Sequence, residues 1–206
     1  MSKIAYFIKQ SWLLILAAFL FGLLIAVADS AWSPKVEKNK VDKLSGLMGS
    51  LISDAESFEI AIKDANIVSS KGTVKTNIYK ALDKQGKCAG FAFVAVGTGF
   101  ADKIELVVAV DAQCQKLLGF SVLSSNETPG FGDKIKNAEF SDQFKGTPVA
   151  ALSLVKIGDR EKIDNEIVAL SGATVTSTAV VNMFNKSVLS VRDELLKKGV
   201  ITSDGR

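Results

Sequence analysis

Ser171-Gly172-Ala173-Thr174 stands between a short apolar run, Ile167-Val168-Ala169-Leu170, and a long amphipathic stretch. A strand, a turn of small residues and then a helix is an arrangement that binds an anionic phosphate. Small side chains let the ligand reach the backbone, while the helix N-terminus offers unpaired N–H groups and the positive end of its dipole. The same residues serve equally as ordinary helix caps, with Thr174, Thr176 or Ser177 accepting the first N–H groups. Spacing alone leaves both readings open. No Lys follows Gly172 in the position a Walker loop requires, so nucleoside triphosphate hydrolysis is not expected. A second stretch, Glu127-Thr128-Pro129-Gly130-Phe131-Gly132-Asp133-Lys134, is too irregular to be filler, and its Pro129-Gly130 pair suits the centre of a type II turn. It reads either as part of a binding site or as an Ω-like loop held by its own turn.

The residues that are missing narrow the chemistry further. With His 0 in 206 residues, a Ser-His-Asp triad, a His-ligated zinc or haem and imidazole base catalysis are all excluded. Cys88 and Cys114 are too few to ligate an iron–sulfur cluster and lie far outside CxxC spacing. A disulfide between them and two separate buried thiols are both compatible with the sequence. Any redox chemistry therefore falls to an organic cofactor. Lys+Arg 25 against Asp+Glu 22 gives a net charge of +3, without the basic excess that nucleic-acid binding needs.

The elements that must position these residues are legible from periodicity. Ser11 to Ala28 carries no charged side chain, and its eighteen residues rise to about 27 Å, close to a bilayer's hydrocarbon thickness. Trp12 and Trp32 sit where interfacial aromatics belong. A retained transmembrane anchor is the expectation, with a signal peptide cleaved at Ala26-Val27-Ala28 as its rival. Pro34 is expected to end the span. Val41, Leu44, Leu47, Met48, Leu51 and Ile52 then recur at helical spacing, as in a core-packing amphipathic helix. Runs at 74–79, 88–96, 104–110 and 117–123 are rich in β-formers and joined by short turns, which predicts an antiparallel meander. A short strand is expected over Ala150 to Val155. Val180, Phe184, Val188, Val191 and Leu195 form one helical stripe that Lys197-Lys198-Gly199 closes. The fold class is α+β: an antiparallel sheet with packed helices, preceded by one N-terminal transmembrane helix, divided at 1–34 and 35–206.

The Ser-Gly-Ala-Thr run and the Thr-Pro-Gly loop together resemble the FMN-binding domain family to which the G subunit of the Rnf electron transport complex belongs. The C subunit of the sodium-pumping NADH:quinone oxidoreductase is a related member, and the short chain and Asp133-Lys134-Ile135 look more like the Rnf protein. The resemblance covers essentially the whole chain. It implies FMN held covalently by a phosphoester to the Thr174 hydroxyl, attached by a separate flavin transferase. Around it, Ser171, Gly172, Ala173, Thr176 and Ser177 would form the phosphate end. Glu127, Thr128, Gly130 and Phe131 would line the flavin ring or a partner surface, and Lys134 would favour an anionic ring. The family usually carries Asp three residues before the Ser, where this chain has Val168. The implied function is a single-electron relay among the other membrane subunits of an Rnf-type complex coupled to ion transport. The implied location is a bacterial or archaeal cytoplasmic membrane, with one pass through the lipid bilayer and the domain on the extracytoplasmic side. Partners of nucleic-acid type are not expected. The alternatives are a component like the C subunit of the sodium-pumping NADH:quinone oxidoreductase, an anchored non-redox module that captures a phosphate or nucleotide, and a purely structural member of a complex.

Overall fold

The computed structural model describes residues 3–70 and 72–202. Helix α1 runs over Lys3–Leu51, and the chain divides into two compact units after Lys43. The first unit contains the apolar stretch, and α1 is the one helix among the described residues long and apolar enough to cross a membrane. Pro34 lies inside α1 and does not end it, contrary to the expectation from sequence. An interior proline removes one i→i−4 hydrogen bond and crowds the carbonyl four residues back, a cost of about 3 kcal/mol that the long helical runs on either side absorb. The expected boundary at 34/35 accordingly falls within a continuous helix.

The second unit is built on a meander of five antiparallel strands: β1 Ser57–Ser69, β2 Gly72–Leu82, β3 Cys88–Thr98, β4 Lys103–Asp111 and β5 Leu117–Ser125. The four expected strands are present. β1 is additional, and the sequence hides it for a definite reason. Its pairing with β2 slips between Ile60 and Ile62 and again between Ile62 and Ala65, with Asp64 at φ 51°, so the alternation of apolar residues breaks in mid-strand.

The sheet is buried on both faces. Phe91, Phe93, Leu106, Val108 and Val110 point into a core shared with helix α3 (Thr174–Lys197), whose Val180, Phe184, Val188, Val191 and Leu195 are all buried there. The intervening residues Ala92, Val107 and Ala109 face the other way, onto Met48 and Ile52 at the end of α1. That end belongs to the same unit as the sheet. Leu44, Leu47 and Leu51 pack there too, whereas Val41 is exposed.

Between β5 and α3 the chain makes a 3-10 turn at Gly132–Lys136, helix α2 at Ala138–Ser141, a second 3-10 turn at Asp142–Phe144 and two short parallel strands, β6 (Ser153–Val155) and β7 (Glu166–Val168). β6 is shorter than expected because the Ala150 amide bonds back to the Pro148 carbonyl in a turn. Phe144 anchors the crossover, edge-on to Phe120 at 5.0 Å and tilted against Phe184 at 4.6 Å. Burial of rings of this size contributes about 1.5–3 kcal/mol each. Gln143 acts as a substitute strand edge for β7: its Oε1 accepts from the Val168 amide at 2.7 Å and its Nε2 donates to the Val168 carbonyl at 3.3 Å.

Candidate functional site

β7 leads into the small-residue turn and α3 starts directly after it. Gly172 takes φ +77°, a left-handed value that favours glycine, and Ala173 is the N-cap, with no side chain closing the helix end. None of the three hydroxyls expected to cap, those of Thr174, Thr176 and Ser177, does so. Ser177 is buried, donates to the Ala173 carbonyl at 2.9 Å and accepts from the Leu170 amide at 3.0 Å. Thr176 donates to Glu127 Oε2 at 2.5 Å. The first amide of the helix to find a helical acceptor is that of Ser177, which donates to Ala173. The positive end of a 24-residue helix is therefore left open. Thr174 stands exposed on it, its hydroxyl without a hydrogen-bond partner among the described residues.

This end forms one wall of a cleft of about 500 Å³, lined by Glu127, Thr128, Phe131 and Gly132 from the Thr-Pro-Gly loop, by Gly172 to Thr176, and by Phe100. The size is that of a small-molecule or cofactor site. The loop has its expected turn: Phe131 N–H reaches the Thr128 carbonyl at 3.2 Å, with Gly130 at φ +78°. That turn throws Phe131 over Gly172, whose missing Cβ would stand 3.1 Å from the ring.

Glu127 joins the loop to the other two walls. Its Oε2 accepts from Thr176 and from the Phe100 amide at 3.2 Å, and its Oε1 accepts from the Ala101 amide at 2.9 Å. Burial by itself pushes the Glu127 carboxyl up. The Thr176 hydroxyl and the amides of Ala101, Phe100 and Asp102 outweigh burial and hold the group below the ordinary carboxylate range.

Of the residues singled out in the sequence, Glu127, Thr128, Phe131, Gly172, Ala173, Thr174 and Thr176 come together in the cleft. Ser171, Gly130, Lys134 and Ser177 do not line it. Ser171, Gly130 and Lys134 are exposed nearby, and Ser177 is buried behind the helix end. Phe100 and Val175 are cleft residues that the motifs do not announce. Phe100, 69% exposed, had one signal: an aromatic following Gly97-Thr98-Gly99 at a hairpin tip, where nothing in the core requires it. Away from the cleft, Cys88 and Cys114 are both free thiols, and burial pushes Cys114 up to about 12.

Fold and site together define a small α+β domain with an aromatic-sided cleft at an open helix N-terminus. Residues 99–188 match the FMN-binding domain family, a span that contains every cleft-lining residue. The G subunit of the proton-translocating ferredoxin:NAD(+) oxidoreductase complex of Clostridium ljungdahlii is 33% identical over 178 residues, 86% of this chain and 88% of that one. The G subunit of the ion-translocating oxidoreductase complex of Methanosarcina acetivorans is 28% identical over 165 residues, 80% and 84% of the two chains. In fold, the domain is similar to the crystal structure of Shewanella oneidensis NqrC, with TM-score 0.56 and 24% identity over 69% of this chain and 72% of that one. The chain belongs to the FMN-binding domain family that includes these G subunits.

The cleft suits that cofactor on its own evidence. Exposed rings of Phe100 and Phe131 offer flat apolar surface for a ring system. The uncapped α3 terminus supplies donors and positive potential for a phosphate, and the small Gly172-Ala173 pair keeps the approach to it open.

Proposed function

We propose that this chain is a membrane-anchored subunit of an Rnf-type oxidoreductase complex, passing electrons singly between other subunits through FMN esterified to Thr174. The observation that carries the reading is the state of the hydroxyls around the helix start. Thr176 and Ser177 donate inward to Glu127 and Ala173, and Thr178 donates to the Thr174 carbonyl at 2.8 Å. Thr174 alone of these lines the cleft exposed, with its hydroxyl uncommitted among the described residues.

Bound FMN supplies one-electron chemistry; the chain's residues hold and shield it. Phe100 and Phe131 exclude water from the faces of the ring. The open amides at the start of α3 compensate the phosphate charge, and Gly172 with Ala173 keeps the peptide slim enough for another enzyme to reach. No histidine is present to activate the threonine, which is consistent with attachment by a separate flavin transferase. Val168, in place of the family's usual Asp, is buried and fixed through its backbone by Gln143, so in the folded chain this position presents no side chain to a visiting enzyme. Asp164 and Glu166 are out of register with it.

The apolar stretch of α1 is the anchor, and the domain from Leu44 onward faces the extracytoplasmic side. The name of the Clostridium ljungdahlii relative, which specifies a ferredoxin:NAD(+) oxidoreductase complex that translocates ions, supports the same kind of complex as the setting for this chain.

Mass spectrometry of the full chain, purified under denaturing conditions from cells containing a flavin transferase, tests the attachment. The expected result is an adduct of FMN minus water on the tryptic peptide containing Thr174. An unmodified mass from a culture that flavinylates a control protein refutes the covalent assignment.

A further inference from the structure

Glu127 occupies a niche shaped for a carboxylate. A Cβ at Gly99 would lie 2.3 Å from its Oε1, and one at Gly132 would lie 2.6 Å from its Oε2, so the chain withholds side chains on both sides of the group. Three consecutive amides, those of Phe100, Ala101 and Asp102, converge on it, together with the Thr176 hydroxyl. Donors meet both oxygens, so a carboxylate satisfies them all, whereas a neutral amide of the same size would turn its own N–H groups toward one set of donors. The placement gives that charge a second consequence. Among the described residues that line the cleft, Glu127 is the one ionisable side chain.

We propose that Glu127 is a fixed negative charge in the cleft wall that lowers the reduction potential of the flavin held there. The inference rests on the flavin reading above. Electrons entering the ring bring negative charge into a partly dry cleft, where a neighbouring carboxylate opposes them more strongly than it would in water. The α3 N-terminus acts in the opposite sense. Lys134 lies outside the cleft and solvent screens it.

The test is a mediated reductive titration of the full-length, flavin-loaded protein in detergent. Dithionite donates the electrons and is oxidised to sulfite, and flavin absorbance reports the midpoint. E127Q removes the charge at nearly constant volume, turning one N–H group toward a former donor, and its midpoint is expected to move to more positive values. A roughly tenfold change in the reduction equilibrium corresponds to ~59 mV per one-electron step. Thr176→Val disturbs the same contact but keeps the charge and strips away a compensating hydroxyl, so its midpoint moves to more negative values. Opposite signs are the signature of an electrostatic role, because a purely structural staple moves both variants alike. If E127Q holds wild-type flavin with an unchanged midpoint, or both variants shift the same way, the proposal is overturned while flavin binding stands. If E127Q does not fold, the sign of the Thr176→Val shift decides, and a positive or absent shift overturns the proposal. A wild-type protein without flavin overturns the proposal and the flavin reading together, a result that the denatured mass shows before any titration.

Discussion

Thr176, in the first turn of α3, donates its hydroxyl hydrogen to Glu127, 49 residues earlier in the chain, at 2.5 Å. The bond ties the last helix of the domain to the loop that follows its sheet. Because Glu127 also receives the amides of the β3–β4 hairpin tip, one carboxylate holds all three walls of the cleft. Charge-assisted bonds of this kind are stronger than neutral ones, contributing ~1.5–3 kcal/mol each.

Thr174→Ala should abolish covalent flavin and leave the fold intact. The helix does not depend on this hydroxyl, since Ala173 occupies the cap position without any side-chain bond. The stability change should stay within about 0.5 kcal/mol. In-gel flavin fluorescence after denaturation and a thermal melt check the two halves separately. Covalent flavin persisting in this variant removes Thr174 as the attachment point.

Gly132→Ala should destabilise more than Gly130→Ala, although Gly130 holds the positive φ. A Cβ at Gly132 would meet Glu127 Oε2 at 2.6 Å and Thr176 Oγ1 at 2.8 Å, whereas one at Gly130 meets nothing within 4 Å. Overpacking of that kind costs about 1–3 kcal/mol, against ~1–2 kcal/mol for a left-handed alanine in open solvent. Gly132→Ala also displaces the carboxylate, so its flavin yield should fall as well. Thermal melts of the two full-length variants, with flavin loading measured in parallel, decide the order.

Acid should loosen the cleft through Glu127. Its folded pKa lies below the unfolded value of about 4.5, so the stability it contributes is present above that value and is lost as pH falls through the folded pKa. Melting temperature measured from pH 7 to pH 3 should therefore drop more steeply in the wild type than in E127Q, which starts lower and has no such carboxylate to protonate. Parallel curves would remove Glu127 from the acid limb.

Gln143→Ala should weaken the approach to the motif. It strands the Val168 N–H and C=O, both served by that one amide, and each unsatisfied buried group costs ~1–3 kcal/mol. Hydrogen exchange should quicken over 166–170 more than over the meander. Uniform protection across both regions would mean that β6 alone secures β7.

Much of this molecule is legible in the sequence because the relevant forces are local. The meander shows as short β-rich runs between tight turns, α3 as a stripe closed by Lys197-Lys198-Gly199, and the type II turn as Pro129-Gly130. What the sequence conceals depends on distant partners. β1 loses its period at two bulges and is recognisable only once β2 lies beside it. Pro34 looks like a stop and is absorbed by the helix around it. Thr176 and Ser177 look like caps, yet Glu127 and the Ala173 carbonyl take up their hydroxyl hydrogens. Phe100 enters the cleft because β3 and β4 bring their hairpin tip to Glu127, which a reading of separate motifs does not reveal.

The first strand of the sheet and the last helix of the chain pack against each other. The apolar face presented by β1 and β3 therefore stays uncovered until α3, more than a hundred residues after β1, has been made. The cleft comes into existence at the same late moment, when α3 docks and Thr176 finds Glu127. A chain broken off before α3 thus loses the cover of its sheet and the third wall of its cleft together, so the site cannot outlast the fold that frames it.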